Sequence, residues 1–181
     1  MTMSDRLLMD PMTAKELEAF VAYSRQGYID DRVTNGGEDR RDATEVATKQ
    51  YAEFVPDGKP AEGHSLFTGR DATTGETIGI LWLFERTSAG GTTVFVYDVE
   101  VQQDRRGQGW GRELMAYGER WACERGAHEI ALNVFGGNAV ARGLYASLGY
   151  NERAVAMAKP LESLLSRTSP TSPTSPIPVP L

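Results

Sequence analysis

Apolar positions recur along the chain first at helical and then at strand spacing, and the switch divides it into regions. Leu17, Phe20, Val21 and Ser24 follow a 3.6-residue period, with Thr13 placed as an N-cap and Glu16 three residues on, the spacing of a capping box. A charged, glycine-containing stretch over 30–42 reads as a solvated loop. A second helix is predicted over 43–54, with Val46, Ala47, Gln50, Tyr51 and Phe54 on one side and Pro56, Gly58 and Pro60 ending it. Three strands follow at 65–69, 77–86 and 92–101, with a Thr-Gly turn inside 71–76 and Gly90-Gly91 between the last two, which predicts an antiparallel meander. The texture then changes to helix at 109–125, strand at 128–135, helix at 138–148 and strand at 150–158, an alternation that implies a parallel crossover.

Composition narrows the class. A chain of 181 residues with 40% hydrophobic and 24% charged residues fits one globular domain with a core of its own. Thr-Ser-Pro occurs three times over 168–176, and Pro178 and Pro180 follow, a composition that predicts a disordered tail. The expected division is a domain over 1–161 and a Ser/Thr/Pro-rich tail over 162–181. A net charge of −6 argues against a nucleic-acid partner, because phosphate binding needs a clustered Lys/Arg surplus. Residues 1–10 carry no signal-peptide pattern, and the longest apolar run, near 78–84, is far short of the ~20 residues of a membrane span, so the cytoplasm is the expected location and no membrane partner is expected. A homodimer is compatible with the sequence. Cys123 is the single cysteine, which excludes an internal disulfide and a Cys-rich zinc site; it reads as a helical residue near the core, and no metal is expected. His64 reads as a loop residue, and Trp82, Trp110 and Trp121 as packing residues.

The most informative segment joins the third strand of the meander to the next helix: Arg105-Arg106-Gly107-Gln108-Gly109-Trp110-Gly111-Arg112. Three alternate glycines permit close backbone approach, and a helix N-terminus offers unpaired N–H groups and a partial positive charge, the chemistry that a pyrophosphate needs. A P-loop is excluded because no Gly-Lys-Ser/Thr ends the segment. A dinucleotide fingerprint fails on spacing, since its third glycine would fall at Arg112 or Leu114. Arg106, Gly109 and Gly111 do satisfy Arg-x-x-Gly-x-Gly, which resembles the coenzyme A pyrophosphate loop of the GNAT superfamily of N-acetyltransferases.

A second motif lies downstream. Asn138, Ala141, Leu144, Tyr145, Leu148, Gly149 and Tyr150 match the later signature of that superfamily, Asn-x-x-Ala-x-x-Leu-Tyr-x-x-Leu-Gly-aromatic. Asn138, Ala141 and Tyr145 share one helix face, Leu144 and Leu148 the neighbouring face, and Gly149 is placed to end the helix.

The resemblance implies a mixed α/β fold: a central, mostly antiparallel sheet with helices on both faces, splayed where the parallel strands at 92–101 and 128–135 part. It implies acetyl-CoA as co-substrate, its pyrophosphate on Arg106, Gly107, Gln108, Gly109, Gly111 and Arg112, its pantetheine arm along Val99 and Val101, and Asn138 beside it. It implies Tyr145 as the acid that protonates the departing thiolate. A small-molecule or peptide amine is the expected acceptor. Its base is a carboxylate near the end of the strand, Glu100 or Asp98. Simple alternation puts both on the side of Val94, and a β-bulge would change which one faces the substrate. Two other readings remain: an acyl-CoA-binding module without catalysis, and an acyltransferase with another acyl group or acceptor.

Overall fold

The computed structural model describes residues 5–34, 37–155 and 157. Within them five strands run in the order β1 (Leu7–Pro11), β2 (His64–Asp71), β3 (Thr77–Ser88), β4 (Gly91–Val101) and β5 (Ala127–Leu132), each beside the next in one sheet. β1 to β4 pair antiparallel and β5 pairs parallel to β4. Helices α1 (Ala14–Thr34) and α2 (Arg40–Phe54) precede β2, α3 (Trp110–Glu124) makes the β4-to-β5 crossover, and α4 (Ala139–Ser147) follows β5. This is the expected mixed α/β architecture. Among the described residues, no helix is long and apolar enough to cross a membrane.

The sheet separates two apolar layers. On one face Leu81, Leu83, Val94 and Val96 meet Met115, Trp121 and Ala122 of α3, with Tyr145 of α4 and Leu148 at its C-terminal end packed beside them. On the other face Leu66 and Trp82 meet Leu17 and Phe20 of α1 and Tyr51 of α2. Leu81, Leu83, Leu114 and Met115 are fully buried, so strand alternation and the α3 period converge on one close-packed layer.

Several expectations change at the local level. The capping box forms: Glu16 N–H donates to Thr13 Oγ1 at 3.3 Å and Thr13 N–H to Glu16 Oε2 at 2.9 Å. The stretch 30–42 is not one loop. α1 continues through Thr34, and α2 starts at Arg40 with Asp39 as its N-cap. Its charges are used locally, Arg32 with Glu38 at 2.8 Å and Arg40 with Asp30 at 2.9 Å. Val46 is exposed on α2, whose buried residues are Ala43, Ala47 and Tyr51. Cys123 is helical as expected but exposed. His64 opens β2, where its Nδ1 accepts a hydrogen bond from Trp82 Nε1 at 3.0 Å. β1 was not foreseen.

The chain divides into residues 1–150 and 151–181. The expected strand at 150–158 is not formed among its described residues, which have no regular secondary structure. Asn151-Glu152-Arg153 within it are polar, and Val155 and Met157 are exposed. The expected tail, 162–181, lies outside the described residues.

Gly79 shows how tightly β3 and β4 are matched, because a Cβ there would stand 2.1 Å from the carbonyl oxygen of Glu100. Gly79→Ala should therefore cost about 2–3 kcal/mol in urea denaturation. Gly143→Ala, in α4 with open space around the added methyl, should gain about 0.5–1 kcal/mol. Equal effects at the two positions would contradict the strand contact.

Candidate active site

The site begins with an irregularity in β4. Trp82 of β3 is opposite Asp98 and Leu83 is opposite Val96, so Tyr97 is an extra residue, a β-bulge. Alternation resets across it. Val94 and Val96 face α3 before the bulge, and Val99 faces the same layer after it. Asp98 and Glu100 are opposite Trp82 and Ile80, which belong to the α1/α2 layer. The two carboxylates therefore lie on the face opposite Val94, which corrects the expectation from simple alternation.

The second feature is a parting of strands. Parallel pairing of β4 with β5 runs from Thr92 to Val96 and goes no further, while β4 continues to Val101. In the gap lies a cavity of about 220 Å³. Asp98 and Val99 line it from β4, and Asn138, Ala141 and Tyr145 from the start and body of α4. The gap thus lets a carboxylate of one sheet face and a phenol of the other reach one space. Asn138 is held by its own capping role, its Oδ1 accepting from Ala141 N–H at 3.0 Å. Gly149, with φ of +93°, ends the helix, and Tyr150 N–H returns to the Tyr145 carbonyl at 3.0 Å.

Burial and charge tune these groups. Burial pushes the Asp98 carboxyl up from 3.8 to about 6; the Glu100 charge adds to this, and a hydrogen bond from Val99 N–H opposes it. Burial, and then the Asp98 charge, raise the Tyr145 phenol. Glu100 has a different setting. It accepts from the Tyr23 hydroxyl of α1 at 3.2 Å and faces the Arg106 guanidinium at 3.7 Å, and it does not line the cavity.

Immediately after β4 the glycine segment turns into α3. Gly107 and Gly109 have φ of +74° and +86°, a region that glycine enters without strain. Among the described residues no hydrogen bond within the chain takes up the N–H groups of Gly107, Gln108, Gly109, Trp110 or Gly111. These amides and the α3 dipole make an anion cradle. A Cβ at Gly111 would meet Leu144 at 3.2 Å, so that glycine also lets α4 approach α3. Arg106 braces the turn by donating from Nε to the Val101 carbonyl at 3.0 Å and keeps most of its guanidinium exposed. Arg112 reaches Ser147 Oγ at 2.5 Å. Arg105 turns to Glu76 and Asp104.

This splayed sheet with its glycine cradle is matched by the sequence model of the Acetyltransferase (GNAT) family over residues 28–150. The chain belongs to the GNAT acetyltransferase family. Two relatives from Bacillus subtilis (strain 168) agree. The uncharacterized N-acetyltransferase YycN is 25% identical over 155 residues, covering 86% of this chain and 99% of YycN. The uncharacterized N-acetyltransferase YdgE is 29% identical over 153 residues, covering 84% and 97%. A crystal structure of YycN has a TM-score of 0.76 over 86% of this chain and 98% of that one. A solved protein from Pyrococcus furiosus, 24% identical, shares the fold with a TM-score of 0.63 over 85% and 99%.

Within this GNAT frame the structure adds a residue that sequence reasoning missed. Arg6, beside β1, donates from Nη2 to the Gln108 carbonyl at 3.1 Å and lies 3.6 Å over the ring of Trp110. It ties the far edge of the sheet to the glycine turn across 102 positions of sequence, a separation at which no local pattern could have announced it. Trp110 is buried beneath it, as a packing residue.

The raised Asp98 pKa has a consequence for stability. An Asp that ionises near 3.8 when unfolded but near 6 when folded costs stability as pH rises between those values. The cost is fully present above about pH 6 and absent below about pH 4. A rise from 3.8 to about 6 corresponds to about 3 kcal/mol. Asp98→Asn should therefore stabilise the GNAT domain by about 1–3 kcal/mol at pH 7.5 and by nearly nothing at pH 4. Urea denaturation at the two pH values checks this, and equal effects at both would contradict the buried carboxylate.

Proposed function

We propose that this chain transfers the acetyl group of acetyl-CoA to a primary amine by direct attack. The observation that carries the proposal is the convergence of Asp98 and Tyr145, from opposite sheet faces, on one cavity beside the strand that leads into the glycine cradle. The residues fit the co-substrate. Five amides with no hydrogen bond among the described residues, together with Arg106 and Arg112, suit a pyrophosphate. The β4 backbone beyond Val96, no longer paired with β5, suits an amide-bearing arm along Val99 and Val101.

Chemistry follows from the two flanking groups. An alkylammonium of pKa near 10.4 must lose a proton before it attacks, at a cost of about 4–5 kcal/mol at pH 7. Asp98, poised near 6, is ionised at neutral pH and accepts that proton directly or through water. Glu100, engaged by Tyr23 and Arg106, holds the strand end to α1 and to the loop instead. The amine nitrogen bonds to the thioester carbon and a tetrahedral oxyanion forms. Its collapse breaks the C–S bond, the Tyr145 hydroxyl gives its proton to the leaving sulfur, and the second N–H proton shed by the acetylated nitrogen restores the phenol through solvent. The raised phenol pKa keeps Tyr145 protonated at neutral pH. Transfer to a thiolate, whose conjugate acid is near 8.5, is then somewhat uphill and relies on the positioning of donor and sulfur.

Thiol release from acetyl-CoA on adding a primary amine tests the activity. In single turnover at saturating donor, Tyr145→Phe should bind acetyl-CoA like the wild type and lose roughly 10²–10⁴ in rate, the range for a positioned proton donor. A wild-type rate would remove Tyr145 from the chemistry. A loss of donor binding with an unchanged rate would make it a coenzyme contact.

A further inference from the structure

The acceptor side of the cavity carries a chemistry of its own. Tyr97, the bulged residue, and Phe135, in the turn after β5, both line it. Both are exposed despite their rings, Tyr97 at 40% and Phe135 at 74%, and Val134 beside them is 37% exposed. Tyr97 is nevertheless fixed. Its ring stacks on Trp82 at 5.1 Å and meets Phe54 and His64 at 5.3 Å each, so it presents a rigid aromatic surface beside Asp98.

Charge sets the other half of the argument. Among the described residues Asp98 is the one acidic side chain lining the cavity, since Glu100 is held by Tyr23 and Arg106 outside it. A single carboxylate complements a single ammonium. A polyamine would leave further cations without acidic partners here. A polyhydroxylated amine would set its hydroxyls against Tyr97, Val134 and Phe135, whose side chains offer them a single hydroxyl partner.

We infer that the acceptor is a monoamine with an aromatic or bulky apolar group near its nitrogen, the ammonium received by Asp98 and the apolar group held between Tyr97 and Phe135. This rests on the amine-acetylation reading above and adds the substrate class to it. The ring faces attract the adjacent cation as well as the apolar body. Covering one such group between the two rings is worth at least tenfold in kcat/KM.

The test compares 2-phenylethylamine, ethanolamine and spermidine by thiol release from acetyl-CoA, with donor binding measured separately by calorimetry. 2-Phenylethylamine should exceed both others at least tenfold in kcat/KM. Phe135→Ser, which alters an exposed turn residue, and Tyr97→Ala should bring the preference to within about threefold while acetyl-CoA still binds. Phe135→Ser keeps the test decisive if Tyr97→Ala fails to fold. Equal use of the three amines, or preference for spermidine, would overturn the acceptor class and leave the acetyl-transfer reading standing. An unchanged preference in folded variants would overturn the assignment to Tyr97 and Phe135. A bound donor with no thiol release from any of the three would overturn both readings.

Discussion

Between Val96 and Asp98, β4 carries one residue more than β3 can oppose, and the geometry of the site hangs on how Tyr97 is accommodated. The extra residue moves Asp98 and Glu100 to the α1/α2 face and returns Val99 to the α3 layer. Bulges sharpen local twist, and parallel pairing with β5 stops at Val96, the residue before this one. The gap beyond that point lets Asp98 and Tyr145 line one cavity although they belong to opposite faces. A flat, fully paired sheet would separate them. Gly79 has its place in the same arrangement, because β3 meets the β4 backbone at Glu100 with no room for a methyl group.

Electrostatics follow from that geometry more than from composition. The chain is acidic overall, yet the turn after β4 gathers amides with no partner among the described residues, a helix N-terminus and the largely exposed side chain of Arg106. Partial charges fixed in a backbone need no reorganisation when an anion arrives, so a cradle of this kind can serve in a negative molecule. Asp98 is the opposite case. Its burial raises its carboxyl to about 6 and costs folding stability at neutral pH, the kind of setting the proposed proton acceptor needs.

Much of this was legible in the sequence because it rests on local patterns. The capping box at Thr13 and Glu16, the helix at 109–125, the turn at 71–76 and the Gly149 helix end all obey short-range rules. Both long motifs fell on the elements expected of them, a strand-to-helix turn and a helix. Failures came where distant residues decide. The α1 extension packs Ile29 and Val33 against Ala43 and Ala47 of α2, a helix-to-helix contact concealed by the charged residues around it. Asp39 was an available N-cap signal for an earlier start of α2. β1 is five residues long with mixed burial, and its pairing with β2 joins Leu7 to Asp71 across the chain. The facing of Asp98 and Glu100 turns on one bulge, which alternation alone cannot locate. Arg6 acts on a loop a hundred residues away.

The central claim is that the end of β4 and the turn after it form one continuous coenzyme site. An amide-resolved NMR titration of the protein with acetyl-CoA tests it most directly. The account predicts saturable shifts concentrated on the N–H groups of Gly107, Gln108, Gly109, Trp110 and Gly111 and continuing to Val99 and Val101, with α2 and β1 little changed. Saturable shifts that spare 107–111, or that gather at another part of the sheet, would contradict it.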